Sequence, residues 1–354
     1  MLPYFIVLVF VMLLLFMASN NRFNRPNKFP YYLSGFVLVL LATVRSNKVG
    51  TDSGNYTRMF IKSGYNTESI FTRDTSIEIG YLFLEKLALI ISKDYWSLFF
   101  VIATLSVLAT YYAIYKLSGN IKLSVFIYIS LATFLFFFNG ARQAIAASVI
   151  GVAIYYLMKE KIMGYVICVI IASLFHKTAL IMLPFYFLLR FKFSIRNMIL
   201  FSAGSFLALY YFSTIISLFD SGAIERYSVY ENRNATGGYA LTFFFFVVSF
   251  ILIFLRRKIL KSKLKEYDVY LNMCVFSSLI YLVVTFTGSD VNFLRLSLFF
   301  SMGYILIWPI VFKSVPIFKT SIFRAVFVII HLLFYYVYLI KMSGLNPYIF
   351  NDIL

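Results

Sequence analysis

Apolar runs follow one another through this chain from residue 3 to residue 341, parted by short stretches that hold most of its charge. About twelve can be read, near 3–18, 31–45, 95–116, 122–138, 141–158, 162–176, 178–190, 197–219, 239–256, 268–287, 291–313 and 322–341. With 62% of 354 residues hydrophobic and 13% charged, no soluble core could hide that much apolar side chain. A bilayer can, because a helix of about 20 apolar residues satisfies its own backbone while its side chains face lipid. The expected fold is all-α: one polytopic membrane domain over 1–354, with no stretch polar enough to form a separate soluble domain.

The basic residues orient the spans. The net charge of +18 would point to nucleic acid in a soluble chain. Here it follows the bias of Lys and Arg towards cytoplasmic loops, and no nucleic-acid partner is expected. With the N-terminus outside, 19 of the 32 Lys and Arg residues fall on inner connections, and the run Arg256-Arg257-Lys258 to Lys265 anchors that side. The first span has no basic residue before it and Arg22, Arg25 and Lys28 after it, the reverse of a cleavable signal. Ile77–Ser92 is apolar but carries Glu78, Glu85 and Lys86. Counting it as a span would put the 256–265 cluster outside. It is therefore expected as an amphipathic helix near 77–92 on the outer face, within an extracytoplasmic loop over 46–94. A second outer loop covers 220–238.

On this map the polar residues that interrupt apolar sequence gather at outward helix ends. Gly50-Thr51-Asp52-Ser53-Gly54-Asn55-Tyr56 has turn composition, and Asp52 and Tyr56 could face a sugar with Arg45 nearby. In Asn139-Gly140-Ala141-Arg142-Gln143, Asn139 is placed to cap a helix starting near Ala141. Arg142 then falls in a first turn whose dipole is already positive. A bound anion compensates that placement, although an interfacial arginine reaching for water would do so too. Phe175-His176-Lys177-Thr178 breaks a long apolar stretch, where an ionisable pair implies a cavity or a satisfied hydrogen bond. Glu225-Arg226-Tyr227-Ser228-Val229-Tyr230 suits a phosphate or sugar groove or an interfacial belt. Asp290 precedes Arg295, which needs an anionic partner, either Asp290 or a substrate phosphate. Cys168 and Cys274 read as core thiols, and His331 as structural. No phosphate-binding loop, nucleophile elbow or Cys/His metal pattern occurs, so ATP-driven transport and hydrolysis by those routes are unsupported, and no cofactor is expected.

Six elements recur in a set order: Gly50-Thr51-Asp52 with Tyr56, Glu78-Ile79-Gly80-Tyr81, Phe138-Asn139-Gly140 with Arg142-Gln143, Phe175-His176-Lys177-Thr178-Ala179-Leu180, Arg226-Tyr227 with Tyr230, and Phe293-Leu294-Arg295-Leu296. Together they resemble the EpsG-like branch of the Wzy-type polysaccharide polymerases, over residues from about 40 to 300. The resemblance implies an architecture similar to that of the membrane-embedded, GT-C-like glycosyltransferases. It also implies a bacterial inner-membrane enzyme with its site on the extracytoplasmic side. Such an enzyme moves a glycan from a polyprenyl-pyrophosphate carrier onto the terminal sugar of a new lipid-linked repeat unit, building O-antigen, capsule or exopolysaccharide without a metal. A flippase and a chain-length regulator are the protein partners this reading admits.

That chemistry assigns roles to the residues above. Arg142 and Arg295 stabilise charge on the departing pyrophosphate, with Arg45 and Arg226 as a second clamp. Asn139, Gln143, Lys177, Tyr56, Tyr227, Tyr230 and Asp290 line the substrate. Asp52, Glu78 and His176 compete as base, and His176, the deepest, is preferred. A ligase using the same donor, a lipid-linked oligosaccharide flippase and, more distantly, an O-acyltransferase stay open.

Overall fold

The computed structural model describes residues 1–18, 27–64, 77–194, 196–197, 204, 238–287, 291–341 and 343–352. Apart from residues 197, 204 and 238, the span expected at 197–219 and the second outer loop lie outside the described residues, as do Arg226, Tyr227, Tyr230 and Asp290.

The described chain is helical. Among the described residues, six helical stretches are long and apolar enough to cross a membrane: Tyr95–Leu117, Ala141–Met158, Tyr239–Lys258, Lys261–Phe286, Phe293–Ser314 and Ser321–Lys341. Leu2–Ala18, Lys28–Thr43, Ile121–Ser130 and Ile162–Ser173 are shorter apolar helices. Several expected spans are interrupted. The run 122–138 stops at Ser130, where Ala132 adopts a left-handed φ of 57°, and resumes as a 3-10 helix over Phe134–Phe138. A left-handed residue takes the chain off the helical path, which is how many helices end. The run 178–190 becomes a 3-10 helix, Lys177–Met182, and a four-residue α-helix, Phe185–Leu188. Pro184 stands between them and has no N–H with which to continue the helical bonding.

The helices form two compact units, Met1–Leu183 with Ile317–Leu354, and Pro184–Pro316. In the first, α1 (Leu2–Ala18), α2 (Lys28–Thr43), α3 (Ser53–Gly64), α4 (Ile79–Ile91), α5 (Tyr95–Leu117), α6 (Ile121–Ser130), α7 (Ala141–Met158) and α8 (Ile162–Ser173) follow in order. α1 packs on α2, α2 on α5, α5 on α7, and α7 on α8. Tyr4, Leu8, Val11, Leu15 and Ala18 form the buried stripe of α1, spaced for one helical face, while Ile6, Val9, Leu13 and Phe16 are exposed. An apolar outer face is what lipid requires. In the second unit, Leu264–Thr287 packs against both Tyr239–Leu255 and Ser301–Ser314.

Within the first unit, one set of helix ends is knitted together by the segment after α2. Arg45, 2% exposed, lies with its guanidinium 3.6 Å from the Phe99 ring centroid and 4.0 Å from that of Phe138. It donates to the Ala42 carbonyl and to Ser53 Oγ, and Ser53 donates on to the Phe138 carbonyl. The tail after the last helix runs alongside. Ser46 N–H donates to Ile349 O, Asn351 N–H to Val44 O, and Gly50 N–H to Gly344 O. Tyr4 at the start of α1 reaches Leu345 O, and Tyr95 at the start of α5 reaches Asn351 Oδ1. Gly50 adopts a φ of +97°, and a Cβ there would meet the Phe138 carbonyl at 2.6 Å. Only glycine suits that turn. Lys28, Lys116, Lys122, Lys159 and Lys161 belong to the opposite ends of these same helices.

Candidate functional site

The knitted helix ends carry a cluster of ionisable side chains from four separate parts of the sequence. Its centre is Glu78, the residue before α4. The Glu78 side chain is 9% exposed and forms an ion pair with Arg142 in the first turn of α7. Its other oxygen, Oε1, lies 3.2 Å from Nδ1 of His176, which follows the end of α8, and accepts a longer bond from the Lys177 backbone N–H at 3.4 Å. Tyr56 in α3 accepts a hydrogen bond from Arg142. Its ring centroid is 5.6 Å from that of Tyr81, one turn into α4.

Backbone fit makes these contacts possible. Gly80 N–H donates to the Leu174 carbonyl at 2.8 Å, and a Cβ on Gly80 would stand 2.6 Å from that same oxygen. The absent side chain lets the first turn of α4 rest on the end of α8, which brings Glu78 to His176. α8 ends at Ser173, and His176 N–H still donates to the Ala172 carbonyl before the chain turns into the 3-10 helix over Lys177–Met182. The break in the apolar stretch therefore presents an imidazole that a continuous helix would have turned along its side.

Electrostatics fix the state of the central carboxylate. Burial alone would raise the Glu78 carboxyl, but the hydrogen bond with His176 and the positive charge of Arg142 outweigh it and bring the group down to about 2. Glu78 is thus an ionised acceptor at neutral pH. An ionised carboxylate has no proton to give, so the bond to His176 requires the proton on Nδ1. A neutral His176 then offers Nε2 as a lone pair, held in orientation by the carboxylate behind it, the division of labour by which acidic residues direct catalytic histidines. The side chains of Arg142 and His176 are 30% and 25% exposed, so part of each faces outward.

The remaining expected site residues are dispersed. Arg45, expected on the pyrophosphate, is sealed between two aromatic rings and bonded inward to the Ala42 carbonyl and Ser53 Oγ. Asn139 does not cap α7, whose N-cap is Gly140. Its carboxamide instead accepts from Thr51 N–H and donates to the Ser343 carbonyl, both at 2.9 Å, tying the Gly50 turn and the tail to the start of α7. Gln143 is buried in the first turn of α7. Asp52 is half-buried just before α3, where its carbonyl accepts Tyr56 N–H. The Lys177 side chain is exposed. Arg295 belongs to a 3-10 helix, Val291–Phe300, in the second unit. Tyr81 was not among the expected site residues; its place in the Glu78-Ile79-Gly80-Tyr81 element, one helical turn beyond Glu78, is the signal that could have found it.

Among the described residues, no group of three or more His, Cys, Asp or Glu side chains could hold a metal ion. No curated protein and no solved structure matches the chain. The family model described as EpsG family matches residues 28–350, nearly the whole chain, and every member of the Glu78, Arg142, His176 and Tyr56 cluster lies within that match. This multi-pass membrane protein belongs to the EpsG family, a family of Wzy-like polysaccharide polymerases.

Proposed function

We propose that the protein transfers a glycan from a polyprenyl-diphosphate carrier onto the terminal sugar of a second lipid-linked repeat unit at the outer leaflet of the bacterial inner membrane. The observation that carries this reading is the single constellation of Arg142, Glu78 and His176. It combines a fixed guanidinium for a departing diphosphate with an imidazole backed by a carboxylate for the incoming hydroxyl. The acceptor oxygen bonds the anomeric carbon as the bond from that carbon to the diphosphate breaks. The electron pair leaves with the diphosphate, whose growing charge Arg142 neutralises, and the hydroxyl proton passes to His176 Nε2. Glu78, too acidic to be an effective base near neutral pH, steadies the imidazolium. Arg295 and the Arg226-Tyr227 to Tyr230 element keep the substrate roles the family resemblance implies, independently of this cluster, which has Asp52 and Lys177 at its margin.

The orientation rests on the same geometry. Helix ends bearing the site meet at one side of the first unit, and Lys28, Lys116, Lys122, Lys159 and Lys161 lie at the other ends of those helices. Lysines mark the cytoplasmic side, which leaves the site outside. About twelve crossings and a GT-C-like architecture complete this reading, and a chain-length regulator and a flippase are its protein partners.

The test is the surface-polysaccharide ladder of a strain lacking the gene, complemented with wild type or Arg142→Ala. Wild type restores the ladder, whereas Arg142→Ala, made and inserted normally, gives single repeat units. Long chains from Arg142→Ala would overturn the assignment. Loss of even the first repeat in the deletion strain would indicate a ligase or flippase instead.

A further inference from the structure

Two buried donors in the cluster have no hydrogen-bond partner among the described residues: the Tyr81 hydroxyl and Nε of Arg142. Tyr81 is 0% exposed. A buried hydroxyl left without a partner costs stability, and such atoms in native proteins call for an explanation. Local packing does not supply one, because a phenylalanine would fill the same space without the cost.

Tyr81 stands where the explanation would have to lie. It is one turn along α4 from Glu78, its ring is 5.6 Å from Tyr56, and Tyr56 is bonded to Arg142. The hydroxyl lies within electrostatic reach of the Arg142 guanidinium and of Glu85, a buried carboxylate one turn further along α4. Burial above all, reinforced by Tyr56 and Glu85, keeps the phenol protonated, so it acts as a donor. Arg142 meanwhile uses Nη1 on Glu78.

We infer that Tyr81 Oη–H and Arg142 Nε–H form an inner oxyanion subsite, which takes one phosphate oxygen of the lipid diphosphate when that anion replaces Glu78 as the partner of Arg142. This rests on the diphosphate reading of the site and adds a second, neutral donor to it. A neutral donor suits the inner position. It strengthens as charge develops on the leaving oxygen and brings no further charge into a buried place.

The test compares wild type with Tyr81→Phe in detergent or nanodiscs, measuring thermal stability, stabilisation by inorganic pyrophosphate, and turnover of lipid-linked repeat units. Tyr81→Phe is expected to be at least as stable as wild type. It should lose most of the pyrophosphate-induced rise in Tm, and its kcat/KM should fall about tenfold to a hundredfold, as for one hydrogen bond to a charged group. Tyr81→Phe with full turnover and an unchanged pyrophosphate response overturns the subsite and leaves the polymerase reading standing. If the wild type binds pyrophosphate through Tyr81 but makes no polymer, the subsite stands and the polymerase reading falls. If Tyr81→Phe is destabilised and its pyrophosphate response is intact, the phenol has only a structural role and the subsite is refuted.

Discussion

Glu78 holds Arg142 with one carboxylate oxygen and His176 with the other, although the three residues are separated by 64 and 34 positions in the chain. A single carboxylate therefore fixes both the cation and the imidazole, and its removal should affect each differently from removal of either partner.

Glu78→Gln keeps the shape and can still accept from Arg142, but it loses the charge that supports an imidazolium. Polymerisation should fall by about two orders of magnitude, the scale of a general-base contribution. His176→Ala should fall at least as far. The double variant should be little worse than His176→Ala, because the two act as one unit. Rates with purified lipid-linked substrate measure this, and additive losses would separate the two residues.

The depressed Glu78 pKa fixes the direction of one pH effect. A carboxyl at about 2 in the folded protein and near 4.5 when unfolded stabilises the fold above about pH 4.5. That contribution disappears as pH falls through about 2. Its ceiling is on the order of 3 kcal/mol. The Tm difference between wild type and Glu78→Gln should shrink as pH falls from about 4.5 towards 2. A gap that widened below pH 4 would contradict the assigned state of the carboxyl.

Gly80→Ala tests the backbone contact under the site. Its methyl group would stand 2.6 Å from the Leu174 carbonyl, so the start of α4 must lift from the end of α8. A cost of about 1–3 kcal/mol is expected, with loss of long polymer. Both are readable from a melting curve and a polysaccharide gel. A fully active, equally stable variant would show that this approach is not needed.

Arg45 and Arg142 should fail in opposite ways. Arg45→Ala empties a box between Phe99 and Phe138 and breaks the bond to Ser53, so stability should drop by about 2–5 kcal/mol, as when a large buried side chain is cut to alanine, and less folded protein should be recovered. Arg142→Ala should cost less stability than Arg45→Ala, because Glu78 keeps His176 as a partner, and should remove activity. Arg142→Lys should recover little, since an ammonium cannot reproduce the guanidinium fork. Fluorescence-detected size-exclusion profiles alongside polymer assays distinguish the two arginines.

Membrane helicity and family were readable from the chain alone, because apolar length and the placement of Lys and Arg are local properties and because the family resemblance is carried by short motifs, each contiguous in sequence. Glu78, Arg142 and His176 also stand out there, since charge is costly wherever it interrupts apolar sequence. Their pairing was not. A carboxylate at a loop end, an arginine in a first turn and a histidine at a break each admit several partners, and only the approach of α4 to α8 at Gly80 selects among them. Arg45 and Asn139 show the converse. Their composition pointed to a ligand, whereas tertiary contacts turned one into an aromatic-boxed plug and the other into a tie between Thr51 and Ser343. Patterns along a chain report what a residue costs in its local setting; which group offsets that cost depends on chain segments that meet only in the folded protein.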